Sequence, residues 1–150
     1  MRATNPDYPA KVRHIFAAAP FIAELGIELD DVGEGHCQSR LALARRHCQQ
    51  DGFVHAGVLA TMADHTAGAA AGTLVRADQT VLTIEFKINL LRPAVGDARR
   101  CRAAVLRQGR SISVVESEVF ARRDGREVLV ATATVTLAVV HASVGTRAAE

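Results

Sequence analysis

The sequence predicts an α+β fold in which a curved antiparallel sheet wraps around one long central helix. The stretch from His55 to Val75, HAGVLATMADHTAGAAAGTLV, is long enough for about five to six helical turns and contains no Lys, Arg or Glu. A helix on the surface would carry a charged face, so this helix is expected to be buried. Segments with the composition of strands lie on both sides of it, and tight turns join most of the later ones, which favours antiparallel pairing.

The elements before the central helix are predicted from the spacing of apolar residues and from the breaks between them. Residues 11–25 have roughly helical periodicity that Pro20 interrupts, which indicates a helix, a break and a short helical turn ending at Gly26. Alternating residues after Gly26 predict one strand, a GEG turn follows, and HCQSRLALA predicts a second strand. The polar residues 45–54 predict a loop that leads into the central helix.

The elements after the central helix are predicted to be four strands. The first has apolar residues at a period of two, and therefore on one face, at Leu82, Ile84, Phe86, Ile88 and Leu90. The Asp124-Gly125 pair marks the hairpin between the last two strands. The final strand is rich in β-branched residues on both faces, so we expect another subunit to cover the outer face of the sheet.

Length and composition fit a single domain and exclude several functional classes. The chain has 150 residues, of which 49% are hydrophobic and 4% aromatic, so aliphatic side chains and Ala must build the core. A net charge of +2 with scattered arginines argues against nucleic-acid binding. No apolar run is long enough to span a bilayer and no signal peptide is visible, so we expect a cytoplasmic protein. Residues 1–10 and 143–150 are expected to fray.

The cysteine and histidine pattern does not predict a metal centre. The three cysteines, Cys37, Cys48 and Cys101, form no CxxC pair and have no spacing typical of zinc ligation. The six histidines are dispersed along the chain. We therefore expect a reduced protein without a metal ion.

One carboxylate, Asp64, stands on the central helix among small residues. Ala60 and Gly68 lie one turn away from it on the same face. One interpretation is that the small face packs tightly against another helix and that Asp64 is exposed or bonded to a hydroxyl. The other is that another backbone or a thin ligand approaches closely, because Gly68 and Gly72 would each cost roughly 1 kcal/mol relative to Ala.

The motif on this helix resembles the signature of hotdog-fold acyl-CoA thioesterases of the phenylacetate-pathway (PaaI-like) type. That family has His-Gly-Gly and an acid nine positions after the His, and here His55, Ala56 and Gly57 are followed by Asp64. FKINLLRPAVGD is similar to the family's strand and Pro-Ala-x-x-Gly-Asp turn, and the segment from Arg107 onward is similar to its closing hairpins. The resemblance implies a hotdog fold and hydrolysis of an acyl-CoA thioester, with coenzyme A as part of the substrate and no separate cofactor.

The resemblance also implies roles for individual residues. Asp64 takes the position of the catalytic carboxylate, which acts as general base or as nucleophile. The backbone N–H of Ala56 would polarise the thioester carbonyl, at a position where this family usually has Gly. Gln49 would hold the attacking water or orient the acid, and Thr83 aligns with a residue that contacts this water. His55 is a candidate catalytic base, although hydrogen bonding to the backbone at the helix entry is the interpretation we favour.

Helix geometry predicts how these groups meet. Ala56 and Gly57 open the helix, and the unpaired N–H groups there can stabilise a developing oxyanion. Asp64 lies eight residues after Ala56, which is about 12 Å along a helix axis. The acid facing a given Ala56 must therefore come from a second subunit. We expect a homodimer with two equivalent sites, and we expect dimers to pair further into a tetramer.

Arginines are the candidates for binding the phosphates of coenzyme A, because the guanidinium group matches phosphate geometry. Arg92 and Arg110 are the two we favour. Two other functions stay open: a hotdog dehydratase or hydratase acting on acyl thioesters, and a non-catalytic acyl-CoA-binding protein. Hotdog dehydratases generally have prolines before this helix, which QQDGFVHAG lacks, whereas Ala56 in place of Gly keeps the non-catalytic binding protein open. Partners other than acyl-CoA and further copies of the chain, such as nucleic acids or membranes, are not expected.

Overall fold

A six-stranded antiparallel sheet and a central helix dominate the structure, a computed structural model that describes residues 1–142. The strand order is β1-β2-β4-β5-β6-β3, and every neighbouring pair is antiparallel. The central helix α3 contacts every strand, which confirms the predicted α+β architecture. A 3₁₀ turn at Arg45–His47 precedes α3, and the other elements are α1 (Tyr8–Ala17), α2 (Pro20–Leu25), β1 (Ile27–Gly33), β2 (His36–Ala42), α3 (Ala56–Gly72), β3 (Gln79–Leu90), β4 (Ala98–Gln108), β5 (Ile112–Arg123) and β6 (Arg126–His141).

The N-terminal segment forms the predicted helix, break and short helical turn, although α1 begins at Tyr8 rather than at Lys11. Pro20 occupies the first turn of α2, where its missing N–H costs no hydrogen bond, and Gly26 ends the helix in the left-handed region at φ 76°. Before α1, the Thr4 hydroxyl donates a 3.0 Å hydrogen bond to the Leu74 carbonyl, and Asn5 is buried. The N-terminal segment expected to fray is therefore shorter than residues 1–10. The expected fraying at 143–150 lies outside the described residues.

Small side chains on α3 let the sheet close tightly around it. Ala63, Ala67 and Ala70 are fully buried. No helix in the described range is long and apolar enough to span a bilayer. The expected close approach of a backbone at Gly68 and Gly72 is not found within residues 1–142. A Cβ atom at these positions would lie 3.8 Å from a Leu137 methyl carbon and 3.5 Å from the Ile15 Cδ1 atom, which are ordinary van der Waals distances.

A β-bulge reverses the face alternation of β3. The register with β6 shifts after Thr83, so Ile84 is the extra residue on β3. Thr83 pairs with Leu137 and Phe86 pairs with Val135, two buried residues of β6. Paired residues share a face of the sheet, so Thr83 and Phe86 both face α3. The prediction of one apolar face along the whole of this strand is therefore wrong.

β3 is also an edge strand that leaves large apolar side chains exposed. The exposed fractions of Leu82, Ile84, Phe86 and Leu90 lie between 41% and 57%. An exposed apolar edge presents unpaired backbone groups and a hydrophobic surface to another chain. This edge is therefore an exposed apolar surface beside α3.

The outer face of the sheet carries ion pairs on its central strands. Arg40 pairs with Glu28 at 2.9 Å, and Glu127 pairs with Arg100 at 3.1 Å and with Arg102 at 2.6 Å. Exposed pairs of this kind contribute little to stability, but they make this face hydrophilic. The expected cover of the outer face by another subunit stays a prediction.

One buried cation, Arg99 at the start of β4, lacks a counterion. Its Nη1 donates a 2.7 Å hydrogen bond to the Ala98 carbonyl, whereas its Nε and Nη2 atoms are buried without an acceptor among residues 1–142. Burial lowers the pKa of Arg99, and the neighbouring Cys48 and Asp97 oppose that shift. Nothing in the alternation of β4 predicts an arginine at an inward-facing position.

Candidate active site

The entry to α3 is capped by the His55 side chain. The backbone of His55 is extended (φ −62°, ψ 137°), and its Nδ1 atom accepts a 2.9 Å hydrogen bond from the Gly57 N–H. A Cβ atom on Gly57 would lie 3.0 Å from the same Nδ1, so glycine is the residue that permits this cap. His55 therefore shapes the helix entry, and its Nδ1 lone pair is already engaged.

The Ala56 N–H lies in the first turn of α3, where the helix itself provides no backbone acceptor. The Gly57 N–H is capped as above, and the Val58 N–H donates to the His55 carbonyl at 3.0 Å. The Ala56 N–H has no acceptor within the described residues. A free N–H at the positive end of a helix dipole is suited to an oxygen that gains negative charge during a reaction.

A pocket of about 640 Å³ opens at this helix terminus. It brings together four of the residues that the sequence analysis selected: Gln49, His55, Ala56 and Arg92. The loop from Gln49 to Val54 forms one wall and the segment from Leu90 to Ala94 forms another. Gln49 is held within its loop, because its Oε1 atom accepts a 3.3 Å hydrogen bond from the Asp51 N–H.

A buried histidine that the sequence analysis missed anchors this loop. The Nδ1 atom of His47 accepts from the Ala44 N–H at 3.0 Å, and its Nε2–H donates to the Leu25 carbonyl at 2.8 Å. The His55 N–H in turn donates to the His47 carbonyl at 2.9 Å. His47 therefore ties the end of α2 to the start of α3 and positions the pocket wall. A single polar histidine in a polar loop gives no sequence signal for this role.

Asp64 lies on the same helix but outside the pocket at the helix terminus. It is half-buried, and its Oδ1 atom accepts a 2.7 Å hydrogen bond from the Thr83 hydroxyl. No Lys, Arg or His side chain in the described part of the chain forms an ion pair with it. The structure therefore joins two predicted site residues, Asp64 and Thr83, and separates both from Ala56 of the same chain.

His65 follows Asp64 but packs into the domain. Its ring meets Phe16 edge to face with a centroid distance of 4.6 Å, and its Nε2 atom is buried without a hydrogen-bond partner among the described residues. Burial lowers the pKa of His65 from its ordinary value of 6.5, while the negative charge of Asp64 opposes that shift. His65 is therefore a neutral neighbour of the acid at neutral pH.

The two arginines selected for coenzyme A lie in different places. Arg92 lines the pocket beside Ala56, whereas the exposed Arg110 lies in the turn between β4 and β5 and does not line that pocket. A phosphate-binding role for Arg110 stays a prediction. Within the described residues, no group of three or more His, Cys, Asp or Glu side chains is arranged to hold a metal ion.

Residues 51–129, more than half of the chain, match the family model described as Thioesterase superfamily. This protein belongs to the thioesterase superfamily. The matched range includes α3, Asp64 and Thr83 and stops inside β6. α1, α2 and β1 lie outside the match, so the superfamily model carries no statement about them.

Solved structures of related proteins agree with membership of the thioesterase superfamily. A thioesterase family protein from Silicibacter pomeroyi is 40% identical, with a TM-score of 0.88 over 89% of this chain and 98% of that chain. Thioesterase HI1161 from Haemophilus influenzae is 26% identical, with a TM-score of 0.74 over 81% of this chain and 82% of that chain. These likenesses confirm the predicted hotdog-like fold.

The narrower resemblance to PaaI is supported at the level of the fold alone. The PaaI protein of E. coli has a TM-score of 0.81 over 89% of this chain and 94% of that chain, but only 18% sequence identity. The family that is shown is the thioesterase superfamily as a whole.

Proposed function

We propose that the protein is an acyl-CoA thioesterase that acts as a homodimer, in which different subunits supply the carbonyl-polarising N–H and the acid. One observation carries this proposal. α3 holds a free N–H donor at Ala56 and a hydroxyl-bonded carboxylate at Asp64, eight residues later, which is about 12 Å along the axis. One substrate carbonyl cannot reach both groups of a single chain.

A two-fold axis would resolve this separation. Two α3 helices that run antiparallel across the axis would bring Ala56 of one subunit to Asp64 of the partner subunit, and symmetry would create two such sites. The exposed apolar edge at β3 supports an interface on this side, because Thr83 on that strand also contacts Asp64. We propose the homodimer as the smallest active unit, with pairing of dimers as an additional level of assembly.

The proposed reaction uses water as the nucleophile. The thioester carbonyl oxygen accepts a hydrogen bond from the Ala56 N–H, and Asp64 of the partner subunit takes a proton from water as its oxygen attacks the carbonyl carbon. The carbon–sulfur bond of the tetrahedral intermediate then breaks. Coenzyme A leaves as a thiolate, which takes the proton from Asp64. Thr83 is a positioning residue, since its hydrogen bond to Oδ1 leaves Oδ2 for the water.

Arg92 and Gln49 are the residues proposed to contact the substrate. Arg92, which lines the pocket at the start of α3, is the proposed contact for a coenzyme A phosphate. Its exposed guanidinium group can reach the phosphates of the substrate. Gln49 in the same pocket is the proposed contact for water or for the thioester. A thiolate is a good leaving group, so we propose no cofactor beyond the coenzyme A that the substrate carries.

The test is thiol release from a panel of short-chain, long-chain and aryl acyl-CoA thioesters. Asp64→Asn should lower kcat by roughly 100- to 10,000-fold, whereas the exposed control Asp31→Asn on β1 should leave it unchanged. Addition of water to an enoyl-CoA without thiol release would replace the proposal with a hydratase. Binding of acyl-CoA without turnover by the wild-type protein would replace it with a non-catalytic binding protein.

A further inference from the structure

A second pocket, of about 410 Å³, surrounds Asp64. Five apolar residues line it. They are Ala19 before α2, Phe21 and Ile22 on α2, Ala60 on α3 and Phe86 on β3. Pockets of this composition, apolar with a few polar groups, are typical of ligand sites. We propose that this pocket receives the acyl group, that it selects uncharged apolar acyl chains, and that Phe21 and Phe86 set the selection. This inference rests on the proposed thioesterase function.

The charge of the pocket lining disfavours an acyl chain that carries a terminal carboxylate. Among the described residues that line the pocket, Asp64 is the one with a formal charge, and none is Lys or Arg. His65 also lines it and is neutral at neutral pH. A carboxylate at the far end of an acyl chain would enter an apolar space beside Asp64 without a cation to pair with. A methylene group buried there would instead strengthen binding by roughly fourfold.

Two aromatic side chains line the pocket at Asp64. Phe21 on α2 is 64% exposed and Phe86 on β3 is 41% exposed, and both line the pocket at Asp64. The bulge at Ile84 turns Phe86 to the same side of the sheet as Thr83, which holds the acid. Phe21 lies outside residues 51–129, the range that matches the superfamily model. The N-terminal segment therefore contributes to the acyl side of the site independently of the superfamily motif.

The two pockets divide the proposed substrate into two parts. The pocket at Ala56 has an arginine at its mouth and suits the phosphate-bearing portion, whereas the pocket at Asp64 is apolar and suits the acyl chain. In the proposed dimer, the reacting carbonyl lies where the first pocket of one subunit meets the second pocket of its partner. The acyl group then passes Asp64 and reaches the rings of Phe21 and Phe86.

The test compares acyl-CoA thioesters of matched length. For the wild-type protein, kcat/KM on adipoyl-CoA, which has a terminal carboxylate, should be lower than on hexanoyl-CoA by roughly tenfold or more. Phe21→Ala should lower kcat/KM on hexanoyl-CoA and phenylacetyl-CoA by roughly tenfold and leave acetyl-CoA unchanged. The control Leu106→Ala removes a similarly exposed apolar residue of β4 outside the pocket and should change none of these values.

Two results would overturn the inference while leaving the thioesterase proposal intact. One is equal turnover of adipoyl-CoA and hexanoyl-CoA. The other is an equal loss on all three substrates in Phe21→Ala, which would indicate a structural role for Phe21.

If no thioester is hydrolysed, the proposed function fails by itself, and calorimetric binding of hexanoyl-CoA and adipoyl-CoA decides the inference. Asp64→Asn should then narrow the difference between the two dissociation constants, and an unchanged difference would contradict the role given to its charge.

Discussion

The separation of donor and acid along α3 predicts that two inactive variants restore activity when they share one dimer. Ala56→Pro removes the free N–H but keeps the helix, because proline is accepted at the first helical position. The extended backbone of His55, at φ −62° and ψ 137°, is the conformation that a following proline requires. Asp64→Asn removes the basic carboxylate and keeps an oxygen that can accept the hydrogen bond from Thr83.

The expected magnitudes follow from the chemistry that each change removes. Loss of one oxyanion donor should lower kcat by roughly 100- to 1,000-fold in the Ala56→Pro homodimer. Loss of the base should lower it by roughly 100- to 10,000-fold in the Asp64→Asn homodimer. In a heterodimer, one site combines the intact Ala56 of one chain with the intact Asp64 of the other, and the second site has neither group. A heterodimer should therefore recover about half of the wild-type activity per dimer.

The assay is thiol release by heterodimers that are co-expressed with two different affinity tags and purified on both. Ala56→Gly is the matched control, since it changes the same residue but keeps the N–H, and it should stay close to wild type. A heterodimer as inactive as both parents, with all proteins folded, would refute the division of the site between subunits. An Ala56→Pro homodimer with full kcat would refute the role of this N–H.

Three further predictions concern stability and are measured by urea unfolding. Arg99→Met removes two buried nitrogen donors without acceptors in residues 1–142, so the free energy of unfolding should rise by roughly 1–3 kcal/mol; a fall would reveal a partner for Arg99. His65 has a lowered pKa in the folded state, so the unfolded chain takes up a proton first and the free energy of unfolding should fall as the pH drops below about 6.5, by at most about 1.4 kcal/mol per unit. His65→Gln should flatten this dependence, and an unchanged slope would assign it to other groups. Gly72→Ala should raise the free energy of unfolding by up to about 1 kcal/mol, since Ile15 leaves room for the new methyl group, and destabilisation would indicate a close approach by another subunit.

The features that the sequence predicted well are those with local causes. Pro20 and Gly26 mark the start and end of α2 because one lacks an N–H and the other tolerates a positive φ. The burial of α3 follows from its lack of charged residues, and the last hairpin turns at Asp124-Gly125. The capping role of His55 also follows from its place immediately before the helix.

The features that the sequence did not predict depend on contacts between distant segments. β3 pairs with β6 rather than with the next strand, and the bulge at Ile84 depends on the register of that pairing. The prediction of one apolar face along β3 failed for this reason, since a single extra residue exchanges the two faces. His47 acts through the distant Leu25 carbonyl, and Arg99 is buried at a position where no local pattern predicts a cation. The hydrogen bond from Thr83 to Asp64 joins two residues that the resemblance selected, whereas the contact of Thr83 with an attacking water stays a prediction.

The position of Asp64 explains why a buried helix retains one acid. β3 is an edge strand of the sheet, and the side of α3 next to it carries residues that are only partly buried. Asp64 occupies that side, where it avoids the cost of burying a charge, and Thr83 on the edge strand fixes its orientation. The same edge exposes apolar side chains that a second copy of the chain would cover. In the proposed dimer, the partner that covers these apolar residues would also bring its free Ala56 N–H to the acid.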